Sequence, residues 1–228
     1  MKQLALDIGL APAATLEGFV ASGNDAALAH VRLWAESDAR SPVPTLLWGE
    51  SGSGKTHLLQ AARHALLERG ARVGWLDADT PPGQPFDDRW DAVLMDDCHL
   101  YTTDQQATAF NWFINALAPA QGPARWVLAS ADRPPADLPL RDDLRTRLGW
   151  GDVFALQVPG EDERRAVLRR AADARGVFLG DEVMDFMLTR FSRDLGSLMH
   201  LLDRLDAYAL RTQRAITIPL IKSMLDDE

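Results

Sequence analysis

Gly49-Glu50-Ser51-Gly52-Ser53-Gly54-Lys55-Thr56 decides the fold of this chain. The stretch fits the pattern G-x-x-x-x-G-K-[ST], and each part has a physical purpose. Glycines let backbone N–H groups curl around phosphate oxygens with no Cβ in the way. A helix that begins there aims its positive end at the anion. Lys55 reaches the β- and γ-phosphates, and Thr56 offers a hydroxyl to Mg²⁺. In the empty site Lys55 is expected to be exposed. Gly49, Gly52, Gly54, Lys55 and Thr56 are therefore the expected contacts of a bound ADP or ATP.

The surroundings suit that motif. Thr45–Trp48 is a short apolar run that reads as a strand, and 56–69 has helical spacing up to Gly70. Strands are then expected at 73–76, 92–95, 126–129 and 153–158, with helices at 24–36 and 104–117. Strands alternating with helices predict a parallel five-stranded sheet covered on both faces. After Pro159 the periodicity is wholly helical, over 161–175, 181–191, 195–211 and 219–225. The expected organisation is an exposed arm (1–14), an α/β nucleotide-binding base (15–159) and a small α-helical lid (160–228).

The Mg²⁺ partner should be an acid at the end of another strand. Val93-Leu94-Met95-Asp96-Asp97 supplies two. Asp96 is expected to hold the metal through water, and Asp97 to orient an attacking water. Paired acids in such a place also serve as helix caps. Asp97 is one methylene shorter than glutamate, so intrinsic hydrolysis is expected to be slow.

Composition narrows the function classes. The chain has 228 residues, 46% of them hydrophobic, enough for one full core and a satellite domain. Its net charge is −9, from 24 Lys plus Arg against 33 Asp plus Glu. That balance argues against a protein that grips DNA through a basic face and favours one that works on other proteins. No apolar run approaches the roughly 20 residues needed to span a bilayer. Asp7 interrupts the apolar run 4–10, against a cleaved signal. The single cysteine, Cys98, excludes an internal disulfide, and the cytoplasm is the expected compartment.

Three further stretches resemble the ATPase domain of the bacterial replication initiator DnaA, an AAA+ P-loop NTPase. They are Thr15-Leu16-Glu17-Gly18-Phe19-Val20, Ser130-Ala131-Asp132-Arg133-Pro134-Pro135, and Asp143 to Gly151 (DLRTRLGWG). The resemblance runs from about Thr15 to Leu225. The initiator's helix-turn-helix domain would follow Leu225, where Asp226-Asp227-Glu228 remain. The chain thus looks like the initiator-homologous regulators that inactivate DnaA together with the DNA polymerase III β sliding clamp, without sequence-specific DNA binding of its own.

Residue roles follow from that resemblance. Asp132 matches the first sensor near the γ-phosphate. Arg147 matches the arginine finger that reaches a neighbouring subunit's nucleotide; the alternative is a surface arginine near a helix end. Phe19 and Val20 match the segment lining the adenine pocket; the alternative is core packing. Gln3-Leu4-Ala5-Leu6-Asp7-Ile8 resembles a clamp-binding peptide, with Gln3, Leu4, Leu6 and Ile8 as its contacts. Gly196 falls where the family has a second-sensor arginine, so either Arg193 substitutes or that contact is absent. Implied partners are DnaA, the clamp and further copies of the chain. The competing reading is an autonomous AAA+ ATPase resembling a helicase loader or remodelling factor.

Overall fold

A computed structural model describes residues 14–37, 43–191 and 195–226. The chain divides into two compact units that meet in sequence at Val158 and Pro159. The first contains α1 (Asp25–Glu36), β1 (Thr45–Trp48), α2 (Lys55–Glu68), β2 (Val73–Leu76), β3 (Ala92–Met95), α3 (Thr103–Leu117), β4 (Trp126–Ala131), α4 (Asp142–Leu148) and β5 (Asp152–Ala155). The second contains α5 (Glu161–Ala174), α6 (Asp181–Arg190), α7 (Leu195–Thr212) and α8 (Ile218–Asp226).

The five strands form one parallel sheet in the order β2-β3-β4-β1-β5. Alternate side chains leave its two faces, as the period of two requires. Leu46, Val93, Met95, Val127 and Ala129 join Trp112 and Phe113 of α3 and Leu144 of α4 in one core. Leu47, Leu94 and Leu128 join Val31 of α1 and Leu58, Leu59 and Leu66 of α2 in the other. This double burial explains why the strands read as near-continuous apolar runs.

Local chemistry sets the helix starts. Thr102 caps α3 by accepting from the Gln105 N–H, while Gln105 Oε1 accepts from the Thr102 N–H, a reciprocal capping box. Gln105 Nε2 also donates to the carbonyls of Ala78 and Thr80, which ties down the loop after β2. The helical unit closes around its own core of Leu168, Met184, Met187, Leu198, Leu202 and Ile221. No described helix is long and apolar enough to cross a membrane.

Two boundaries differ from expectation. β4 runs on to Ala131, and β5 occupies 152–155 rather than 153–158. The Leu156 N–H still donates to the Trp48 carbonyl at 2.7 Å, and the strand ladder stops there. The short helix α4 was not anticipated as an element, because seven residues carry too few turns for a periodicity to register.

What the topology does for function is simple. β3, β4 and β1 are consecutive neighbours, so the loops leaving their carboxyl ends lie side by side. The carboxyl edge of a parallel sheet is where α/β proteins bind ligands.

Candidate nucleotide site

The loop 49–54 leaves β1 and is clamped at its root. The Gly49 N–H donates to the Ala131 carbonyl at 3.2 Å, and a Cβ at Gly49 would lie 2.4 Å from the Leu156 carbonyl oxygen. No larger residue fits there without moving the backbone. Gly54 has a φ of +94°, in the left-handed region that favours glycine, and a Cβ on it would meet the Phe19 ring at 2.6 Å. Phe19 therefore covers the end of the loop, and its ring lies 5.9 Å from that of His57. Val20, next in the same segment, is half-buried.

Lys55 departs from expectation. It is buried, at 7% exposure, because its ammonium folds back to donate to the carbonyls of Gly49 (2.8 Å) and Glu50 (3.0 Å). An ammonium with three donors can satisfy two of them on its own loop and still sit where phosphate oxygens arrive. Ser53 Oγ is buried and has no hydrogen-bond partner among the described residues. A buried hydroxyl without a partner in an anion-binding loop fits a site completed by a ligand.

Asp96 and Asp97 follow the last residue of β3. Asp96 is buried at the end of β3, and the Thr56 hydroxyl hydrogen-bonds to it. Burial pushes its carboxyl up; hydrogen bonds from Ser130 and Thr56 oppose that, and the charge of Asp97 adds to it. Ser130 Oγ donates to Asp96 Oδ1 at 2.6 Å and accepts from the Asp97 N–H at 2.8 Å. One fully buried hydroxyl thus joins the ends of β3 and β4. Asp97 itself adopts a left-handed φ of 47°, which turns the chain sharply into the Cys98–Leu100 turn.

Asp132 stands at the end of β4, beside this pair. Arg133 holds it through two hydrogen bonds of 2.9 and 2.6 Å, which keep its carboxyl below the usual range. His99 Nδ1 lies 4.0 Å from Asp97 Oδ1 and 3.9 Å from Asp132 Oδ1, buried and without a hydrogen bond. The structure therefore brings Gly49, Gly52, Gly54, Lys55, Thr56, Asp96, Asp97, Asp132 and Phe19 to one edge of the sheet.

Three contributors were missed by sequence reasoning: Ser130, His99 and His57. Ser130 had a signal, being a polar residue inside the buried apolar run 126–131. His57 Nε2 donates to the Thr15 carbonyl at 3.1 Å, and burial lowers its pKa, which keeps it neutral. Neither histidine had a signal in spacing alone. Cys98 is buried, and burial pushes its thiol up to about 12, so it stays protonated and inert.

Arg147 lies elsewhere, in the last turn of α4. Its guanidinium sits 5.6 Å from the centre of the Phe110 ring on α3, while Arg141 sits 4.9 Å from the same ring. Gln3, Leu4, Leu6 and Ile8, and also Arg193, lie outside the described residues.

The residues fit a nucleotide with Mg²⁺. The loop cradle, the Lys55 ammonium and the unpartnered Ser53 hydroxyl suit phosphate oxygens. Thr56 and Asp96 would hold the cation, which supplies charge neutralisation between phosphates when bound. Among the described residues no group of three or more His, Cys, Asp or Glu could cage a metal. Mg²⁺ bound beside phosphates needs no such cage.

Residues 161–225 match the Hda lid domain, and residues 10–81 match the bacterial DnaA ATPase domain. An uncharacterised protein of Haemophilus influenzae is 32% identical, with 99% of both chains covered. The initiator DnaA of Symbiobacterium thermophilum is 31% identical over 95% of this chain, which spans about half (51%) of that protein. Domain III of Thermotoga maritima DnaA shares the fold, with a TM-score of 0.75, 23% identity and coverage of 99% and 98%. AMPPCP-bound DnaA from Aquifex aeolicus does so with a TM-score of 0.67 and 23% identity, over 88% of this chain and 67% of that one.

Two variants test the site. Lys55→Ala should weaken ADP binding by roughly tenfold to a hundredfold, the worth of one or two charge-assisted hydrogen bonds; unchanged affinity in a calorimetric titration would remove the phosphate role. Ser130→Ala strands the Asp96 carboxylate and the Asp97 N–H together. It should lower stability by about 1–3 kcal/mol in thermal denaturation and blunt the Mg²⁺ dependence of nucleotide binding.

Proposed function

The chain belongs to the Hda/DnaA-homologous family of AAA+ proteins, and from that premise we propose that it is a nucleotide-bound negative regulator of DNA replication initiation. Tethered to the DNA polymerase III β sliding clamp through Gln3, Leu4, Leu6 and Ile8, it presents Arg147 to ATP held by DnaA and stimulates its hydrolysis. The role is cytoplasmic.

One observation carries this reading. The other arginines of the α4 region are spent on acids of the same chain: Arg141 on Asp143, Arg145 on Asp142, and Arg133 on Asp132. Among the described residues Arg147 has no carboxylate partner. It rests against an aromatic ring, a contact worth about 0.5–1 kcal/mol at an exposed site. So weak a hold lets the guanidinium leave for a stronger partner at little cost.

The chemistry at that partner is phosphoryl transfer to water. Water attacks the γ-phosphorus of the initiator's ATP, the bond to the β–γ bridging oxygen breaks, and ADP and phosphate leave. Negative charge grows on the bridging and terminal oxygens, and a guanidinium placed there stabilises it, with an effect on rate of about 10³–10⁵. This chain's own nucleotide, held by Gly49, Gly52, Gly54, Lys55 and Thr56 with Phe19 and Val20 at the base, sets the conformation that presents Arg147.

The meeting of Lys55, Thr56, Asp96 and Asp97 also favours a second reading, an autonomous AAA+ ATPase acting as a loader or remodelling factor. The two readings separate on where ATP is consumed.

Arg147→Ala should leave this protein's own nucleotide affinity and its clamp binding unchanged. Conversion of DnaA-bound labelled ATP to ADP, with clamp loaded on DNA, should fall by at least about 100-fold. Arg147→Lys should rescue little, because an ammonium lacks the planar fork of donors. A wild-type rate with Arg147→Ala sinks the mechanism. Replacing Gln3, Leu4 and Leu6 by alanine should abolish retention on immobilised clamp and leave ADP binding intact; retained binding would put the clamp contact elsewhere.

A further inference from the structure

Three residues beyond Arg147, the chain exposes a tryptophan. Trp150 is 72% exposed, and no ring contact or ion pair engages it among the described residues. A single exposed indole is ordinary in itself; what distinguishes this one is its place one turn from Arg147 on a firmly held backbone.

The backbone around it is held unusually tightly. The Gly149 N–H donates to the Arg145 carbonyl, and the Trp150 N–H donates to the Arg147 carbonyl at 3.2 Å, so the turn of α4 continues to the indole. A Cβ on Gly149 would lie 2.9 Å from Pro135 Cβ, and one on Gly151 would lie 1.9 Å from the Pro44 carbonyl oxygen. The Asp152 N–H donates to that same Pro44 carbonyl at 2.9 Å. A Cβ on either flanking glycine would thus strike the rest of the unit, and the indole between them is exposed. Beyond it begins β5, the edge strand, with no further strand to cover it.

A fixed backbone with an exposed tryptophan, one turn from an arginine without a carboxylate partner, is the composition of an interface centre. Trp and Arg lead the residues that carry binding energy between proteins, and a held backbone lowers the entropy lost on docking. Phe178 and Leu210, also exposed, lie in the helical unit with nothing beside them to identify a partner.

We propose that Trp150 is the apolar anchor of the surface that carries Arg147, and that it docks on a P-loop subunit presenting a bound nucleoside triphosphate, the ATP-bound initiator. The inference rests on the trans-finger reading and deepens it. Two tasks are divided between neighbouring side chains: Trp150 supplies attachment through buried apolar area, and Arg147 supplies charge at the phosphates. Trp150 is accordingly a positioning residue, and its loss should appear in the concentration dependence of the reaction rather than in its ceiling.

The test titrates full-length wild-type protein, Trp150→Ala, Trp150→Phe and Arg147→Ala against DnaA carrying labelled ATP, with clamp loaded on DNA. Trp150→Ala should raise the half-maximal concentration at least about tenfold and keep the saturating rate within twofold of wild type. Trp150→Phe should recover most of the shift. Arg147→Ala should lower the saturating rate instead. The melting temperature of Trp150→Ala should stay within about 2 °C of wild type, since an exposed ring contributes little to the fold. An unchanged half-maximal concentration for Trp150→Ala, alongside a lost rate for Arg147→Ala, overturns the anchor and leaves the finger standing. A lowered ceiling for Trp150→Ala also overturns it, because the ring would then act on the chemistry. A wild-type protein with no effect on DnaA removes both. Loss of self-association by Trp150→Ala in sedimentation, with stimulation unchanged, assigns the surface to a second copy and overturns the proposed occupant.

Discussion

The ammonium of Lys55, folded onto the carbonyls of Gly49 and Glu50, is the contact around which the site is organised. A loop of six residues, 49–54, that must turn a strand into a helix and leave room for phosphates has few ways to close. Here it closes on its own lysine. That closure needs Gly49 pressed against the Leu156 carbonyl and Gly54 turned left-handed under the Phe19 ring. The cation gives a crowd of backbone carbonyls a partner when no phosphate is bound, and it is already placed when one arrives. Preorganisation of this sort lowers the entropy cost of binding.

The same economy appears in the acids. A buried carboxylate such as Asp96 is costly unless it is hydrogen-bonded, and Ser130 and Thr56 answer that need from two different elements. Ser130 then uses its remaining acceptor capacity for the Asp97 N–H, where the chain turns sharply. The strand order β3-β4-β1 makes this possible, because the three loops involved leave adjacent strands. Sheet topology, hydrogen-bond satisfaction and the placement of the two acids are therefore a single arrangement. The His99 ring, between Asp97 and Asp132 at about 4 Å from each, extends it to a third acid.

What could be read from the sequence follows from these constraints. The phosphate loop was legible because its glycines and lysine are demanded by backbone geometry at fixed spacing. The strands were legible because burial on both faces leaves continuous apolar runs such as 92–95 and 126–129. The acids after β3 were legible because two carboxylates end a hydrophobic strand downstream of a phosphate loop; without that loop, helix capping would explain them equally well. By contrast, α4 is too short to show a period. The exposure of Lys55 was misjudged because a cation's partners were sought among acids and phosphates, whereas two carbonyls of its own loop are nearer. Ser130 acts through contacts across 33 and 34 residues of chain, to Asp97 and to Asp96, and His99 approaches Asp132 beyond the next strand of the sheet. Such pairings come from the strand order, which local spacing does not encode.

The division of charge on α4 bears on how a P-loop protein with a short second acid can still be active in regulation. On the proposed reading, Asp97 has less reach than a glutamate toward an attacking water, which disadvantages hydrolysis in this chain's own site. Nothing comparable limits an arginine that acts on another subunit's nucleotide, where the water-orienting group belongs to the neighbour. For that task the arginine must be kept from its own chain's acids. Asp142 and Asp143 stand on the same helix, Asp143 at the i, i+4 spacing of a helical ion pair with Arg147. They are occupied by Arg145 and Arg141 instead. Arg141 also lies over Phe110, so the ring is shared between a guanidinium that is anchored and one that is not. An ion pair to either aspartate would have to be broken before Arg147 could reach a phosphate, whereas release from a ring face costs little. On the proposed reading, the acids of α4 serve the finger by binding its competitors.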